Sequence, residues 1–223
     1  MKRRTTLKAG AALTGLFIAP KLFAEENHAS DSFFEIVKSR RSVRKFKPDP
    51  IPEEHLTKIL RAASQAPTSG NQQPWKFLVV KDRKKIDGLK EVCIQKSIER
   101  YKEGNNPSNE EIEQRQKRAE QYYGDYLSAP VYVIVLTDKN SQYPSYNHYD
   151  GPLAVANLIL ASRALGYGTV FCTDSINADI TKEYFNIPDN FIRVCITPIG
   201  VPYEWPESPD KNDLETFIVE ESF

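Results

Sequence analysis

Ser39-Arg40-Arg41-Ser42-Val43-Arg44-Lys45-Phe46 sets three guanidiniums, an ammonium and the Ser42 hydroxyl within eight residues. An apolar helix precedes the stretch, and Pro48, Pro50 and Pro52 follow it. A guanidinium is a planar fork of donors that matches phosphate oxygens, so Arg-x-Ser-x-Arg reads as a phosphate cradle. Short basic runs are also common as solvated turns, and taken alone the stretch divides evenly between the two readings. The decision comes from what lies about 25 residues downstream.

There the chain reads Ala66-Pro67-Thr68-Ser69-Gly70-Asn71-Gln72-Gln73-Pro74-Trp75. Amides and hydroxyls with no charge and no general base make a poor hydrolytic site. They make a good planar hydrogen-bonding surface for a ring carrying alternating N–H and C=O groups. On its own the loop is a turn with a helix-ending proline. With the cradle, it points to a phosphorylated heterocycle.

Outward from these two stretches the pattern alternates between helix and strand. Asp31-Ser32 caps a short helix running through Arg40, with Phe33, Phe34, Ile36 and Val37 as its apolar side. Pro52 opens a second helix, Glu53 to Ala66, in which Leu56, Ile59, Leu60 and Ala63 share one face. Trp75 to Val80 reads as a strand. Residues 82–127 are charged and helical, as one helix or as two broken near Gly104-Asn105-Asn106-Pro107, and Glu110 to Tyr126 is too polar for core. Val131 to Leu136 reads as a strand buried on both faces. Pro152 to Leu165 is a core helix closing on Gly166. Val170 to Cys172 and Arg193 to Ile199 read as strands, separated by a helix from Ile180 to Phe185. The apolar Phe217-Ile218-Val219 suggests a terminal strand seeking a sheet edge, its own or a partner's. The class is α+β, or α/β with interrupted order.

Composition narrows the function. Residues 1–24 carry five basic side chains and no acidic one, and the remaining 25 basic and 30 acidic residues leave a net charge of −5. Such a surface excludes general polyanion binding, so no nucleic-acid partner is expected. Lys2-Arg3-Arg4, a mildly apolar run from Ala9 to Ala19, and Leu22-Phe23-Ala24 read as an export signal of residues 1–24. Arg3-Arg4-Thr5-Thr6-Leu7-Lys8 resembles the twin-arginine motif, which carries folded proteins to a bacterial periplasm. An apolar run of about eleven residues is too short to span a bilayer, so no stable membrane insertion follows signal cleavage. Cys93, Cys172 and Cys195 show no zinc spacing, and no metal site is expected; one disulfide is possible, its pairing undetermined.

The ordered set of motifs resembles the nitroreductase family of FMN-dependent oxidoreductases. The likeness covers most of residues 33–205: the Arg-x-Ser-x-Arg-x-Phe stretch, then Ala-Pro-Thr-Ser-x-Asn-x-Gln-Pro-Trp. It continues in Asp150-Gly151, in Ala164-Leu165-Gly166-Tyr167-Gly168-Thr169 and in Ile199-Gly200-Val201-Pro202. The resemblance implies a three-layer α+β fold with a central, mostly antiparallel sheet flanked by helices, formed by residues 25–223 as one domain and built as an intertwined homodimer. It implies that Arg40 and Ser42, with Arg41 beside them, bind the FMN phosphate and that Arg44 lies near the flavin pyrimidine edge. It implies that Pro67, Thr68, Ser69, Asn71 and Gln73 arrive from the other subunit, and that Gly168 and its neighbours to Thr173 pass near the flavin. Lys211 stands where a second phosphate-binding cation is expected, in place of the arginine the family often carries.

The implied chemistry is cofactor-centred, with no catalytic acid–base pair: two electrons pass from a reduced donor, NAD(P)H, through flavin N5 to a nitroaromatic, quinone or similar acceptor. No G-x-G-x-x-G follows a strand, so a nicotinamide would stack on the flavin rather than occupy a separate dinucleotide site. Nicotinamide donors are scarce outside the cytoplasm, so an exported member invites another donor. A specialised relative (a dehalogenase, a dehydrogenase or a flavin-consuming enzyme) and a flavin-binding module without turnover are the competing readings. Tyrosines 122–126 and 143–149 suit either stacking on an aromatic acceptor or ordinary packing.

Overall fold

The structure, a computed structural model, describes residues 32–223. The export-signal reading of residues 1–24 lies outside the described residues. The chain divides into two units, Met1–Glu35 and Ile36–Phe223, and the fold is that of the second.

Four strands form one sheet in the order β1-β2-β4-β3, with β1 Trp75–Val80, β2 Val131–Asp138, β3 Gly168–Thr169 and β4 Phe191–Gly200. Every pairing between these strands is antiparallel. Side chains alternate across a strand, and β2 shows why its sequence is apolar throughout. Val131, Val133 and Val135 pack with Leu56, Ile59, Val155 and Leu158 on one face. Tyr132, Ile134 and Leu136 pack with Ile86, Leu89, Cys93 and Ile176 on the other. The expected three layers follow directly: α2 (Glu53–Ala63) and α5 (Asn147–Ala164) cover one face, and α3 (Arg83–Lys102) and α6 (Ala178–Tyr184) the other.

Several boundaries differ from the sequence reading. Residues 32–39 form α1. Helix α2 stops at Ala63 rather than Ala66, because the backbone tightens to three-residue bonds, Gln65 N–H to Ala62 and Ala66 N–H to Ala63, ahead of Pro67. The charged region is two helices, broken where expected: α4 (Asn109–Tyr126) begins at a capping box between Ser108 and Glu111. Only Ala119 of α4 is buried, in keeping with its polarity. Helix α5 starts at Asn147, five residues before Pro152. The buried Asn147 donates to the Asp138 carbonyl at 2.8 Å and anchors that earlier turn. The strand expected at Val170–Cys172 is shifted to Gly168–Thr169, with Cys172 kept as a lone bridge to Ile196. The terminal strand does not form on the chain's own sheet: Leu214–Phe217 is a 3-10 turn and Ile218 and Val219 are exposed. β3 already carries Ser42 on its outer side, so that edge is covered.

A bulge interrupts the β2–β4 ladder where Val135 pairs Cys195 and Leu136 pairs Arg193, leaving Val194 over. Cys195 and Val194 therefore both face the α2–α5 layer, and Arg193 turns to the α6 side. All three cysteines are free and buried. Burial pushes the Cys93 and Cys195 thiols up to about 12. No described helix is long and apolar enough to cross a membrane.

Candidate functional site

The basic stretch is fixed by the sheet. Ser42 bridges Thr169 in parallel, the Val43 N–H donates to the Thr169 carbonyl at 2.9 Å, and Phe46 bridges Pro202. Gly168 is what permits this approach. A Cβ there would meet Val43 at 2.7 Å and the Pro202 ring at 2.9 Å. Gly168 is thus buried behind the stretch, as a spacer that lets it lie against β3.

In front of the stretch is a cleft of about 800 Å³ lined by Lys38, Arg40, Arg41, Ser42, Arg44 and Lys211, with Glu207 the one carboxylate among the described lining residues. The cradle residues and the distant Lys211 are brought together. Arg41 is partly committed, donating through Nη1 to the Lys38 and Arg40 carbonyls at 2.7 and 2.8 Å at the end of α1. Arg44 donates through Nε to the Tyr126 hydroxyl at 2.7 Å and through Nη1 to the Ser42 carbonyl at 3.2 Å. No partner is recorded among the described residues for the guanidinium of Arg40. It stands ready for an anion. The opposing wall, residues 206–211, is held by Arg163, whose guanidinium lies 4.3 Å from the Trp205 ring centre while its Nε donates to Ser39 Oγ at 3.1 Å. Nothing in the sequence singles out Arg163 or Trp205, and Tyr126, expected to stack on an acceptor or to pack, instead holds Arg44, since nothing local marks a pair that meets only in the fold.

The amide loop is built separately. A 3-10 turn, Ser69–Asn71, follows α2, and Gly70, Asn71 and Gln73 all sit at positive φ (57°, 55° and 47°). Gly70 is required there, because a Cβ would lie 2.3 Å from the Tyr143 ring. Asn tolerates this region; Gln does so rarely, and such backbone concentrates at functional sites. Gln72 turns inward. Its Nε2 donates to Asp150 Oδ2 at 2.6 Å and to the Tyr143 carbonyl at 3.1 Å, and its Oε1 accepts from the Tyr143 N–H at 2.7 Å. Asp150, 2% exposed, also takes the Ser69 N–H through Oδ1 at 3.1 Å. Pro67, Asn71 and Gln73 face outward, the last two hydrogen-bonded to each other at 3.2 Å, and Thr68 and Ser69 are half-buried behind them.

Within one chain the loop and the cradle do not meet. The cradle joins the sheet beside Thr169, Ile199 and Val131; the loop joins it beside Thr137 and Asp138, at the other end of β2. Seven residues of strand separate these ends, about 20 Å.

Residues 37–201 match the model of the nitroreductase family. An iodotyrosine deiodinase of Thermotoga neapolitana is 28% identical over 169 residues, covering 76% of this chain and 88% of its own. A crystal structure of oxidized iodotyrosine deiodinase bound to FMN and 3-iodo-L-tyrosine is 27% identical with a TM-score of 0.67, and the match covers 86% of this chain and 99% of that one. An FMN-dependent nitroreductase from Clostridium difficile R20291 is 24% identical with a TM-score of 0.62, over 85% of this chain and 99% of that one, and shows the likeness of fold alone.

Proposed function

This chain belongs to the nitroreductase family, and from that premise we propose that it is an FMN-dependent oxidoreductase, passing two electrons from NADH, NADPH or another reduced donor to a nitroaromatic, quinone or similar acceptor. The observation that carries the reading is the cationic cleft, with Arg40, which has no guanidinium partner among the described residues, beside the Ser42 hydroxyl and Lys211 facing them across the gap. A phosphate fits that donor set. Bound FMN supplies hydride chemistry at its N5.

The residues divide the binding work. Arg40 and Ser42 hold the phosphate, with Arg41 adding charge and Lys211 serving as the second cation. Arg44 favours negative charge at the pyrimidine edge. Pro67, Thr68, Ser69, Asn71 and Gln73 come from the partner of a homodimer and exclude water from the ring. The separation of loop and cradle within one chain supports that division.

The absorption spectrum of the purified protein tests cofactor binding directly. Rapid mixing with NADH and NADPH, then with a nitroaromatic, tests donor and acceptor; reduction by neither overturns nicotinamide as donor. A second reading is supported by the deiodinase likenesses: reductive dehalogenation of an aromatic. Release of iodide from 3-iodotyrosine by the chemically reduced protein would favour it. Residues 1–24 support export along the twin-arginine route with cofactor already in place. Cytoplasmic retention of an Arg3→Lys, Arg4→Lys double variant is the expected result, and unchanged export would sink that proposal.

A further inference from the structure

Arg44 is exposed, and a free arginine at such a place samples many rotamers, yet its guanidinium is tied at two of its three nitrogens. Its Nε donates to the Tyr126 hydroxyl at 2.7 Å and its Nη1 to the Ser42 carbonyl at 3.2 Å, with the guanidinium carbon 6.0 Å from the Tyr126 ring centre. Nη2 has no partner recorded among the described residues, and no carboxylate among them pairs with Arg44. A phenol oxygen accepts from a guanidinium without cancelling its charge, as a carboxylate would. Tyr126 thus fixes Arg44 and leaves it cationic.

Tyr126 is itself held. It closes α4, and three consecutive residues of the basic stretch meet the end of that helix: Arg44 meets Tyr126, Lys45 lies 3.9 Å from Asp125, and the Phe46 N–H donates to Ser128 Oγ at 3.0 Å. The Tyr126 carbonyl accepts from the Tyr132 hydroxyl at 2.7 Å, and the same hydroxyl accepts the Ala129 N–H at 3.0 Å. Tyr132 is a buried residue of β2, so the sheet fixes the helix end and the helix end fixes the cation. The Tyr126 ring packs 4.8 Å from that of Tyr122 on its own helix. An arginine set in place before its ligand arrives has less rotamer freedom left to lose on binding.

We infer that Tyr126 is a positioning residue: by holding Arg44 through Nε it aims Nη2 at the pyrimidine edge of the flavin, and so favours the anionic reduced ring over the oxidised one. The inference rests on FMN occupying the cradle. A merely structural role for Tyr126 would weaken both redox forms of FMN alike, whereas this role weakens the reduced form selectively. Tyr126→Phe keeps the ring and removes the acceptor. Reduced FMN should then bind about tenfold more weakly relative to oxidised FMN, which lowers the midpoint potential by about 30 mV for the two-electron couple. Tyr122→Phe, which removes the neighbouring hydroxyl, should leave the potential in place. In an Arg44→Gln background Tyr126→Phe should lower it no further, because the residue acts through Arg44. An unchanged potential in Tyr126→Phe overturns the inference; so does an equal fall in Tyr122→Phe, or a further fall on top of Arg44→Gln. Hydrogen exchange at the Arg44 Nε–H, followed by NMR of the full chain without FMN, tests the hold itself. That proton should exchange slowly in the wild type and faster in Tyr126→Phe. Fast exchange in the wild type overturns the inference even where a variant fails to accumulate. The two readings fail separately. If free FMN keeps its full fluorescence on mixing with the wild-type chain, the cofactor reading falls; if FMN binds and its potential ignores Tyr126, only the role of Tyr126 falls.

Discussion

Neighbouring glutamines with the same side chain have opposite duties here. Gln72 joins the start of β1 to the start of α5 through Asp150, Asn147 and Tyr143, while Gln73 faces outward. Gln72→Leu leaves Asp150 Oδ2 and the Tyr143 N–H without their partner, and a buried group so orphaned costs about 1–3 kcal/mol. Chemical denaturation should show that loss for Gln72→Leu and less than about 0.5 kcal/mol for Gln73→Ala. FMN affinity should respond elsewhere. Arg40→Ala removes one charge-assisted contact to phosphate, worth about 1.5–3 kcal/mol, so fluorescence titration should find FMN binding weaker by about 10- to 100-fold. Full affinity in that variant would place the phosphate elsewhere. The sequence showed both stretches as chemically unusual, because residue types speak for themselves. It could not separate Gln72 from Gln73, since the difference lies in partners 71 to 78 residues away.

Elements whose boundaries rest on local signals were legible, and those set by distant partners were not. Strand β1 is bounded by Pro74 and by the charged Lys81-Asp82 and lies where the pattern placed it. The start of helix α5 is not legible in the sequence, because Asn147 is held by Asp138, Ser141 and Gln72, none of which a helical period reveals. Helix α3 offers a test at this scale. Arg83, in its first turn, forks onto Asp87 at 2.7 and 3.0 Å and also takes the Leu127 carbonyl at 2.9 Å, tying α3 to the end of α4. That contact holds the Asp87 carboxyl down at about 2, below its ordinary 3.8. A depressed carboxyl stabilises the fold above the unfolded value and stops doing so as pH falls through the folded one, here between about 4 and 2. Asp87 is nearly half exposed, so solvent screening leaves roughly 0.5–1 kcal/mol. Asp87→Asn should cost that much at pH 7 and converge on the wild type near pH 2, as read by urea midpoints across the range. A constant gap would mean that the pair contributes through packing rather than charge.

At the scale of the molecule, the two stretches that identified the family stand at opposite ends of one sheet. The sequence placed them 25 residues apart and gave no hint of that separation, because strand order is a property of pairing, not of spacing. The separation makes the proposed homodimer a requirement of the proposed site rather than an accessory to it. In a two-fold dimer each site would combine one protomer's Arg40 cradle with the other's Asn71 loop. Arg40→Ala and Asn71→Ala homodimers should then both bind FMN poorly, each carrying two damaged sites. Unfolding and refolding them together in equal amounts makes half the dimers mixed. Every mixed dimer has one site with both defects and one with neither, so about one site in four should regain wild-type affinity. If both residues served the same protomer's site, every site in the mixture would keep one defect and none would recover. Fluorescence titration of the mixture against each parent therefore separates a shared site from two complete ones. Two populations, a tight quarter and a weak remainder, are the expected outcome, and a single weak population would return the amide loop to its own chain.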